Sequence, residues 1–251
     1  MELEMRKLGK SFQANGRSVR ALDGIDLAIE EGEFVSIIGS SGCGKSTLLR
    51  IIGGLETDYD GEALFDGSHI KAPSRKRGFI FQDHRLLPWL SVEENIRFSL
   101  PSQTQNIKEL IADKLAIVGL SKFAKAYPRE LSGGMAQRAA IARALANQPR
   151  VLLLDEPFGA LDAITKIRMQ EETLRIWQLE KITMILVTHD IDEAVYLGQR
   201  VVVMSNGGIQ EIRTVELPLP RDRVSADFTA QKSVIYKAFF GDLELPFAYA
   251  I

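Results

Sequence analysis

The sequence has one cysteine, Cys43, and no apolar run near the ~20 residues that a membrane-spanning helix needs. One cysteine excludes an internal disulfide and a cysteine metal cluster, and it fits a reducing compartment. The first residues lack the apolar segment of a secretory signal. Basic and acidic residues nearly cancel, 31 against 33, so the charge does not indicate a nucleic-acid partner. Contact with a membrane is therefore expected only through other subunits.

The rest of the composition is that of an ordinary globular protein, with 45% hydrophobic and 25% charged residues. We expect mostly strands in the first third, beginning with an edge strand that contains Leu3, Met5 and Leu8. Helical patterns follow, and the apolar run Val151–Leu154 predicts a parallel strand buried on both faces. We predict one domain with an α/β core at 1–85 and 150–217, an inserted helical subdomain at 86–149, and a C-terminal helix and tail at 218–251.

The central motif fits G-x-x-x-x-G-K-[ST], the phosphate-binding P-loop. It consists of Gly39, Ser40, Ser41, Gly42, Cys43, Gly44, Lys45, Ser46 and Thr47. Glycines let successive N–H groups point at the phosphates, Lys45 reaches the β- and γ-phosphates, and the Ser46 hydroxyl can ligate Mg²⁺. The alternative is a glycine-rich turn that binds nothing. Because a buried strand precedes the loop and a helix follows it, we predict that the chain binds a nucleoside triphosphate.

Two acidic residues end the buried strand that follows the helical section. Asp155 and Glu156 come directly after the apolar run Leu152–Leu154. This arrangement is typical of a strand whose Asp155 holds Mg²⁺ through its water shell, with Glu156 as general base for an attacking water. The alternative is a pair of surface carboxylates at a strand end.

A second helix start is suited to an anion. Ser132 stands at the expected N-cap, and Gly133 and Gly134 leave N–H groups free. An ordinary helix N-terminus is an equally good explanation of this segment alone. However, one nucleotide cannot easily use two such sites on one small domain. We therefore expect Ser132, Gly133 and Gly134 to serve a nucleotide bound to a neighbouring chain.

These motifs occur in the order found in the ATPase subunit of ATP-binding-cassette (ABC) transporters, which the chain closely resembles over roughly residues 1–215. They are the P-loop, Gln82, Leu131–Met135, Asp155-Glu156, Gly159–Asp162 and His189. The resemblance implies an α/β fold: a P-loop core with an antiparallel β portion and an inserted helical subdomain. It also implies a head-to-tail homodimer in which the P-loop of one chain and Ser132 of the other enclose each ATP.

The resemblance assigns further roles to single residues. Gln82 is the glutamine that senses Mg²⁺ and links the core to the helical subdomain, and His189 is the histidine that contacts the γ-phosphate. Asp162 corresponds to the D-loop aspartate of the family, although a plain helix cap also explains it. Phe12 corresponds to the aromatic that stacks on adenine, with simple packing as the alternative. His69 and His84 match no motif and are expected at the surface.

Three segments resemble a subfamily that imports nitrate, aliphatic sulfonates and taurine: Leu86–Trp89, Asp155–Asp162 and Pro220–Arg223. The resemblance implies two transmembrane permease subunits, a separate solute-binding protein, and a place on the cytoplasmic face of the membrane. It places Trp89 near the groove that receives the permease, whereas a buried tryptophan is the alternative. The implied cargo is a small oxyanion or organosulfonate.

Two other classes of protein share a P-loop. A P-loop kinase would phosphorylate a small substrate, and it would not need Leu131–Met135 or the Asp155-Glu156 pair. An ABC ATPase that acts on DNA or ribosomes would show a long coiled-coil insertion or two cassettes in tandem. The sequence shows neither feature, which favours the transporter ATPase.

Overall fold

The computed structural model describes residues 2–14 and 17–240, so the apolar tail after 240 lies outside the described residues. The strands are β1 (Leu3–Ala14), β2 (Arg17–Ile29), β3 (Phe34–Gly39), β4 (Asp60–Phe65), β5 (Ser68–His69), β6 (Arg77–Ile80), β7 (Val151–Asp155), β8 (Thr183–Thr188), β9 (Arg200–Ser205) and β10 (Gly208–Thr214). The α-helices are α1 (Lys45–Gly53), α2 (Val92–Ser99), α3 (Ile107–Ile117), α4 (Gly133–Leu145), α5 (Ala163–Glu180), α6 (Ile191–Leu197) and α7 (Ala226–Phe240).

A six-stranded sheet with the order β10-β9-β3-β8-β7-β6 forms the centre of the protein. Its strands are parallel except β10, which pairs antiparallel with β9. The strands β3, β7 and β8 are short apolar runs, as expected for strands covered on both faces. Because parallel strands end at the same edge, the residues after β3, β6, β7 and β8 converge there.

A second, antiparallel sheet has the order β2-β1-β4-β5. The prediction of an edge strand at Leu3, Met5 and Leu8 is wrong, because β1 lies between β2 and β4 and is paired on both sides. These three side chains are buried, which agrees with their apolar character. Alternation of apolar residues shows which face of a strand is buried, but it does not show which backbone edges are paired.

Alternate residues of the parallel strands enter two separate cores. On β3, Phe34 and Ile38 belong to a core that also contains residues of α2–α7, whereas Val35 and Ile37 belong to a core shared with α1 and the antiparallel sheet. The side-chain period of two in a strand produces this division. The sheet is consequently fixed from both faces, which holds the loops at its carboxyl edge in place.

The chain between β6 and β7 is helical. A capping box opens α2, since Ser91 Oγ accepts from the Glu94 N–H at 3.3 Å and Glu94 Oε2 accepts from the Ser91 N–H at 2.7 Å. Strands β9 and β10 form a hairpin, joined by a turn in which Asn206 and Gly207 both have positive φ. Within the described residues, no helix combines the length and the apolar character that membrane crossing requires.

Candidate functional site

The glycine-rich loop connects β3 to α1 at the carboxyl edge of the parallel sheet. Gly42 and Gly44 have φ of 80° and 102°, a region that favours glycine. A Cβ at Gly44 would also clash with the Ala21 carbonyl oxygen of β2. Both the conformation and the close approach of β2 therefore require glycine at this position.

Lys45, the first residue of α1, folds back over the loop. Its Nζ donates to the carbonyl oxygens of Gly39 at 2.7 Å and Ser40 at 3.0 Å. The side chain is 6% exposed although it carries a charge. This position puts a cation inside the loop where Cys43, itself buried, lies 3.9 Å from the Nζ.

Ser46 and Asp155 bring the P-loop and the end of β7 together. Ser46 Oγ donates to Asp155 Oδ1 at 2.9 Å. Burial raises the pKa of Asp155, and the Ser46 hydrogen bond opposes this effect. Hydroxyl and carboxylate oxygens are hard ligands of the kind Mg²⁺ takes, so these two residues fit a magnesium ion.

Glu156 and His189 meet across the ends of β7 and β8. Glu156 Oε2 lies 3.3 Å from His189 Nδ1. Glu156 has φ of 46°, unusual for a residue with a side chain, and its N–H donates to the Val187 carbonyl at 2.9 Å. The backbone turn after Asp155 thus points the Glu156 carboxylate towards the histidine that follows the neighbouring strand.

Gln82 approaches the same position from β6. A Cβ built at Gly159 would lie 3.7 Å from Gln82 Nε2 and 3.9 Å from Glu156 Oε2. Gln82 is exposed. The amide and the carboxylate therefore flank Gly159 at the edge where β6 and β7 end.

The predicted second anion site lies at the start of α4. Ser132 Oγ accepts from the Met135 N–H at 3.3 Å, and both Ser132 and Gly133 are exposed. Gly134 is buried against α5, and a Cβ at this position would lie only 2.6 Å from Thr165 Cγ2. Ser132 is thus an N-cap, and Gly134 also allows α4 to pack closely on α5.

Asp162 caps α5 in a similar way. Its Oδ1 accepts from the Thr165 N–H at 3.0 Å, and this hydrogen bond lowers the pKa of Asp162. The side chain is exposed. A cap role is therefore visible in the structure, and the role of a D-loop aspartate stays a prediction.

Phe12 lies on β1, paired with Val19 of β2, and is 39% exposed. The Lys10 ammonium lies 4.9 Å from the centre of its ring. An exposed ring with a cation nearby leaves surface for stacking. Stacking on adenine stays a prediction.

Trp89 is 69% exposed, so the alternative of a buried tryptophan is wrong. Asn95 of α2, which no motif indicated, holds the loop that contains Trp89 in place. Asn95 Oδ1 accepts from the Leu87 N–H at 2.7 Å, and Nδ2 donates to the carbonyl oxygens of Leu87, Leu90 and Ser91. A buried amide therefore organises the turn that presents Trp89 to solvent.

Arg143 of α4, also missed, fixes the preceding stretch. Its guanidinium donates to the carbonyl oxygens of Arg85 at 2.6 Å and His84 at 2.9 Å. Burial lowers the pKa of Arg143. The helix that begins at Ser132 is thus connected to the loop that runs from Gln82 to Trp89. His69 is exposed, as expected, whereas His84 is half-buried.

Comparison with known proteins identifies relatives over almost the whole chain. Residues 22–159 match the family model described as "ABC transporter". The aliphatic sulfonates import ATP-binding protein SsuB of Bacillus cereus is 50% identical, with 97% of this chain and 98% of the relative covered. Its Bacillus subtilis counterpart is 49% identical, with 95% and 94% covered.

Solved structures of other proteins resemble this chain in both fold and sequence. A dimeric ATP-binding cassette in a post-hydrolysis state, bound to ADP and Pi, is 33% identical with a TM-score of 0.75, covering 85% of this chain and 99% of the other. The cbiO1 protein of Clostridium perfringens, described as part of an ABC transporter complex, is 28% identical with a TM-score of 0.78, covering 94% and 93%. The predicted fold class is confirmed.

Proposed function

The chain belongs to the ABC transporter ATPase family, and on this premise we propose that it powers a membrane importer of aliphatic sulfonates or a related small oxyanion. It is an ATPase, which converts ATP and water into ADP and phosphate. Its relatives named for aliphatic sulfonates support the choice of cargo. Trp89 and the segment Pro220–Arg223, which suggested the same subfamily, support it independently of those names.

The observation that carries the hydrolytic role is the meeting of four side chains at one sheet edge. Ser46 and Asp155 lie 2.9 Å apart, and Glu156 and His189 lie 3.3 Å apart. Lys45 and the loop N–H groups bind the triphosphate, and Glu156 accepts a proton from the attacking water. His189, beside that carboxylate, orients the reacting groups towards the γ-phosphate.

A magnesium ion fits the oxygen donors at this edge. Ser46 and Asp155 would hold it, with Gln82 contributing its amide oxygen, and when bound the ion neutralises charge on the phosphates. Phe12 would stack on the adenine. The other loop residues, Gly39 to Thr47, contribute backbone N–H groups and close packing around the phosphates.

Two copies form the working unit. The exposed cap at Ser132 and Gly133 would contact the nucleotide held by the P-loop of the partner, and Asp162 would lie at the contact between the two chains. The dimeric cassette that resembles this chain supports a homodimer, and the head-to-tail arrangement of its two chains is part of the proposal. This arrangement gives the second anion site a ligand that the same chain does not already hold.

The exposed Trp89 loop supports a proposal for the partners in transport. Two transmembrane permease subunits would bind there, at the cytoplasmic face of the membrane, and a solute-binding protein would deliver the cargo to them. In this proposal the core at 1–85 and 150–217 binds ATP, and the helical subdomain at 86–149 contacts the permease. Neither task is assigned to the C-terminal segment 218–251.

ATP turnover by the purified chain tests the function directly. Lys45→Ala should abolish tight binding of a fluorescent ATP analogue, because the triphosphate loses the ammonium that reaches its β- and γ-phosphates. Glu156→Gln should keep binding and lower turnover by on the order of 10²-fold or more. Reconstitution with the permease in liposomes then tests for ATP-dependent uptake of an alkanesulfonate. Phosphorylation of a small substrate in place of phosphate release would instead support the kinase alternative.

A further inference from the structure

The seven-residue helix α6, which begins two residues after His189, is held at its C-terminal end by a buried arginine. Arg221 Nη1 donates to the carbonyl oxygens of Val195 at 2.6 Å, Tyr196 at 3.1 Å and Gly198 at 2.7 Å. Burial lowers the pKa of Arg221 to about 10, so the guanidinium is charged at neutral pH. A cation at this place neutralises the negative end of the helix dipole and satisfies carbonyls that have no partner within the helix.

A second arginine from the same segment contacts the side of α6. Arg223 Cζ lies 3.4 Å from the centre of the Tyr196 ring, and its Nη2 donates to Gln170 Oε1 at 2.6 Å. Gln170 Nε2 in turn donates to Glu193 Oε2 at 3.3 Å. Gln170 and Glu193 are each 2% exposed. The contact therefore reaches into the interface between α5 and α6.

The same hydrogen-bonded chain continues to the residue next to His189. Lys166 Nζ lies 3.2 Å from Glu193 Oε2 and 2.7 Å from Asp190 Oδ2. Asp190 is the N-cap of α6, with its Oδ1 accepting from the Glu193 N–H at 3.2 Å. A polar connection thus runs from Arg223 through α5 to the backbone that carries the imidazole.

We propose that Pro220–Arg223, named here the C-terminal clasp, is a positioning element that holds α6 so that His189 stays beside Glu156. The proposal rests on the hydrolytic role proposed above for these two residues. A helix this short is not stable by itself, so its orientation depends on the contacts at its ends and side. Misplacement of a reacting group by ~1 Å can lower a rate by about 10². The contacts described for Arg221 and Arg223 are with α5, α6, Gly198 and Val215, so both are positioning residues.

The histidine content of the chain provides a local measurement. There are three histidines: His69, His84 and His189. Imidazole Cε1–H signals in a proton–carbon correlation spectrum therefore number three, and single substitutions of the histidines assign them. His69 on β5 and His84 near Arg143 serve as internal references, because neither belongs to the polar connection from the clasp.

The test variant is Arg223→Gln, which removes the charge and keeps a long polar side chain. It should shift or split the His189 signal and leave the other two unchanged. The kcat for ATP should fall about five- to tenfold while KM stays within about twofold, because the P-loop is intact. Arg223→Lys should recover part of the loss, since an ammonium can still bind Gln170. Arg213→Gln, on the exposed part of β10, is the matched control and should change neither signal nor rate.

Three outcomes would overturn the proposal: an unmoved His189 signal, equal movement of all three signals, or a shifted signal with unchanged kcat. If Arg223→Gln does not fold, Lys166→Met interrupts the same connection from the opposite end and is judged by the same criteria. His189→Ala separates the proposal from the function on which it rests. If His189→Ala turns over ATP at the wild-type rate, the proposed hydrolytic role fails. If it is impaired while Arg223→Gln is normal, only the positioning role fails.

Discussion

Ser46 Oγ donates to Asp155 Oδ1 at 2.9 Å, although the two residues are 109 positions apart in the chain. One ends the phosphate-binding loop and the other ends β7. The two oxygen ligands that we expect to bind the same cation therefore lie next to each other, because β3 and β7 end at the same edge of the sheet. Their distance links two motifs that the sequence could identify only separately.

Asp155→Asn should raise the Mg²⁺ concentration for half-maximal ATP turnover by about tenfold or more, because a neutral amide oxygen is a weaker ligand than a carboxylate. Titration of turnover with MgCl₂ at saturating ATP measures the effect. Asp113→Asn, which changes an exposed carboxylate on α3, should leave the titration unchanged. An unaltered Mg²⁺ requirement in Asp155→Asn would remove this residue from the metal site.

Ser132→Arg should prevent nucleotide-dependent dimerisation. In the Glu156→Gln background, ATP should convert monomer into dimer in light scattering, and ADP should not. The exposed Ser132 cap would meet the partner's phosphate closely, so a bulky side chain there blocks the approach. ATP affinity of the monomer should stay near its starting value. Loss of monomer binding as large as that of Lys45→Ala would show that both anion sites serve one nucleotide.

Trp89→Asp should weaken co-purification with the permease and spare basal ATP turnover. The ring is 69% exposed, so its loss leaves no cavity in the isolated chain, whereas a charge in an apolar contact must be desolvated without a partner. Leu179→Asp places the same charge at an exposed position on α5 and should have no effect on capture. A melting temperature that falls only in Trp89→Asp would point to a structural role for the ring.

Asp190→Asn should lower stability in a pH-dependent way. Burial raises the pKa of Asp190, but the hydrogen bond and charge of Lys166, together with the backbone N–H groups of Glu193 and Asp192, lower it, and the net pKa is below its usual value. A lowered pKa stabilises the fold above the pKa of the unfolded chain, near ~3.9, and this contribution is lost as the pH falls through the folded value. Asparagine also caps helices, so only the charge is removed.

Urea unfolding at several pH values measures this difference. At pH 7 the variant should be about 1–3 kcal/mol less stable than the wild type, between the values for exposed and buried pairs. The difference should begin to shrink below about pH 4 and should vanish once the pH lies below the folded-state pKa of Asp190. Burial raises the pKa of Glu193 and the charge of Asp190 raises it further, so the same comparison is repeated in a Glu193→Gln background. A difference that is constant from pH 3 to pH 7 would contradict the charge argument.

The sequence predicts the parts of the site that are local in the chain. The P-loop, the ends of β7 and β8 and the start of α4 each combine a periodic segment with a short motif, so both the element and the functional residue can be found. Glu156 and His189 were identified in this way. Their 3.3 Å separation follows once β7 and β8 are known to be neighbours.

The contacts between side chains and distant backbone could not be predicted. Asn95 and Arg143 bind carbonyl groups of the loop between Gln82 and Trp89, and nothing in their immediate sequence distinguishes them from solvated residues. Such bonds depend on how helices pack, which apolar periodicity does not specify. The sequence left both an exposed and a buried Trp89 open for a related reason, since burial of a tryptophan is decided by neighbours that are remote in sequence.

The φ of 46° at Glu156 has a consequence for how this chain tolerates change. A left-handed backbone conformation such as that of Glu156 destabilises a residue with a side chain by about 1–2 kcal/mol, whereas glycine adopts it without this penalty. Selection for thermal stability alone would therefore favour glycine here, and selection for ATP turnover would reject it. Variants selected for stability without a functional screen should therefore often carry glycine in place of Glu156. Such variants would keep strand β7 intact but would not turn over ATP.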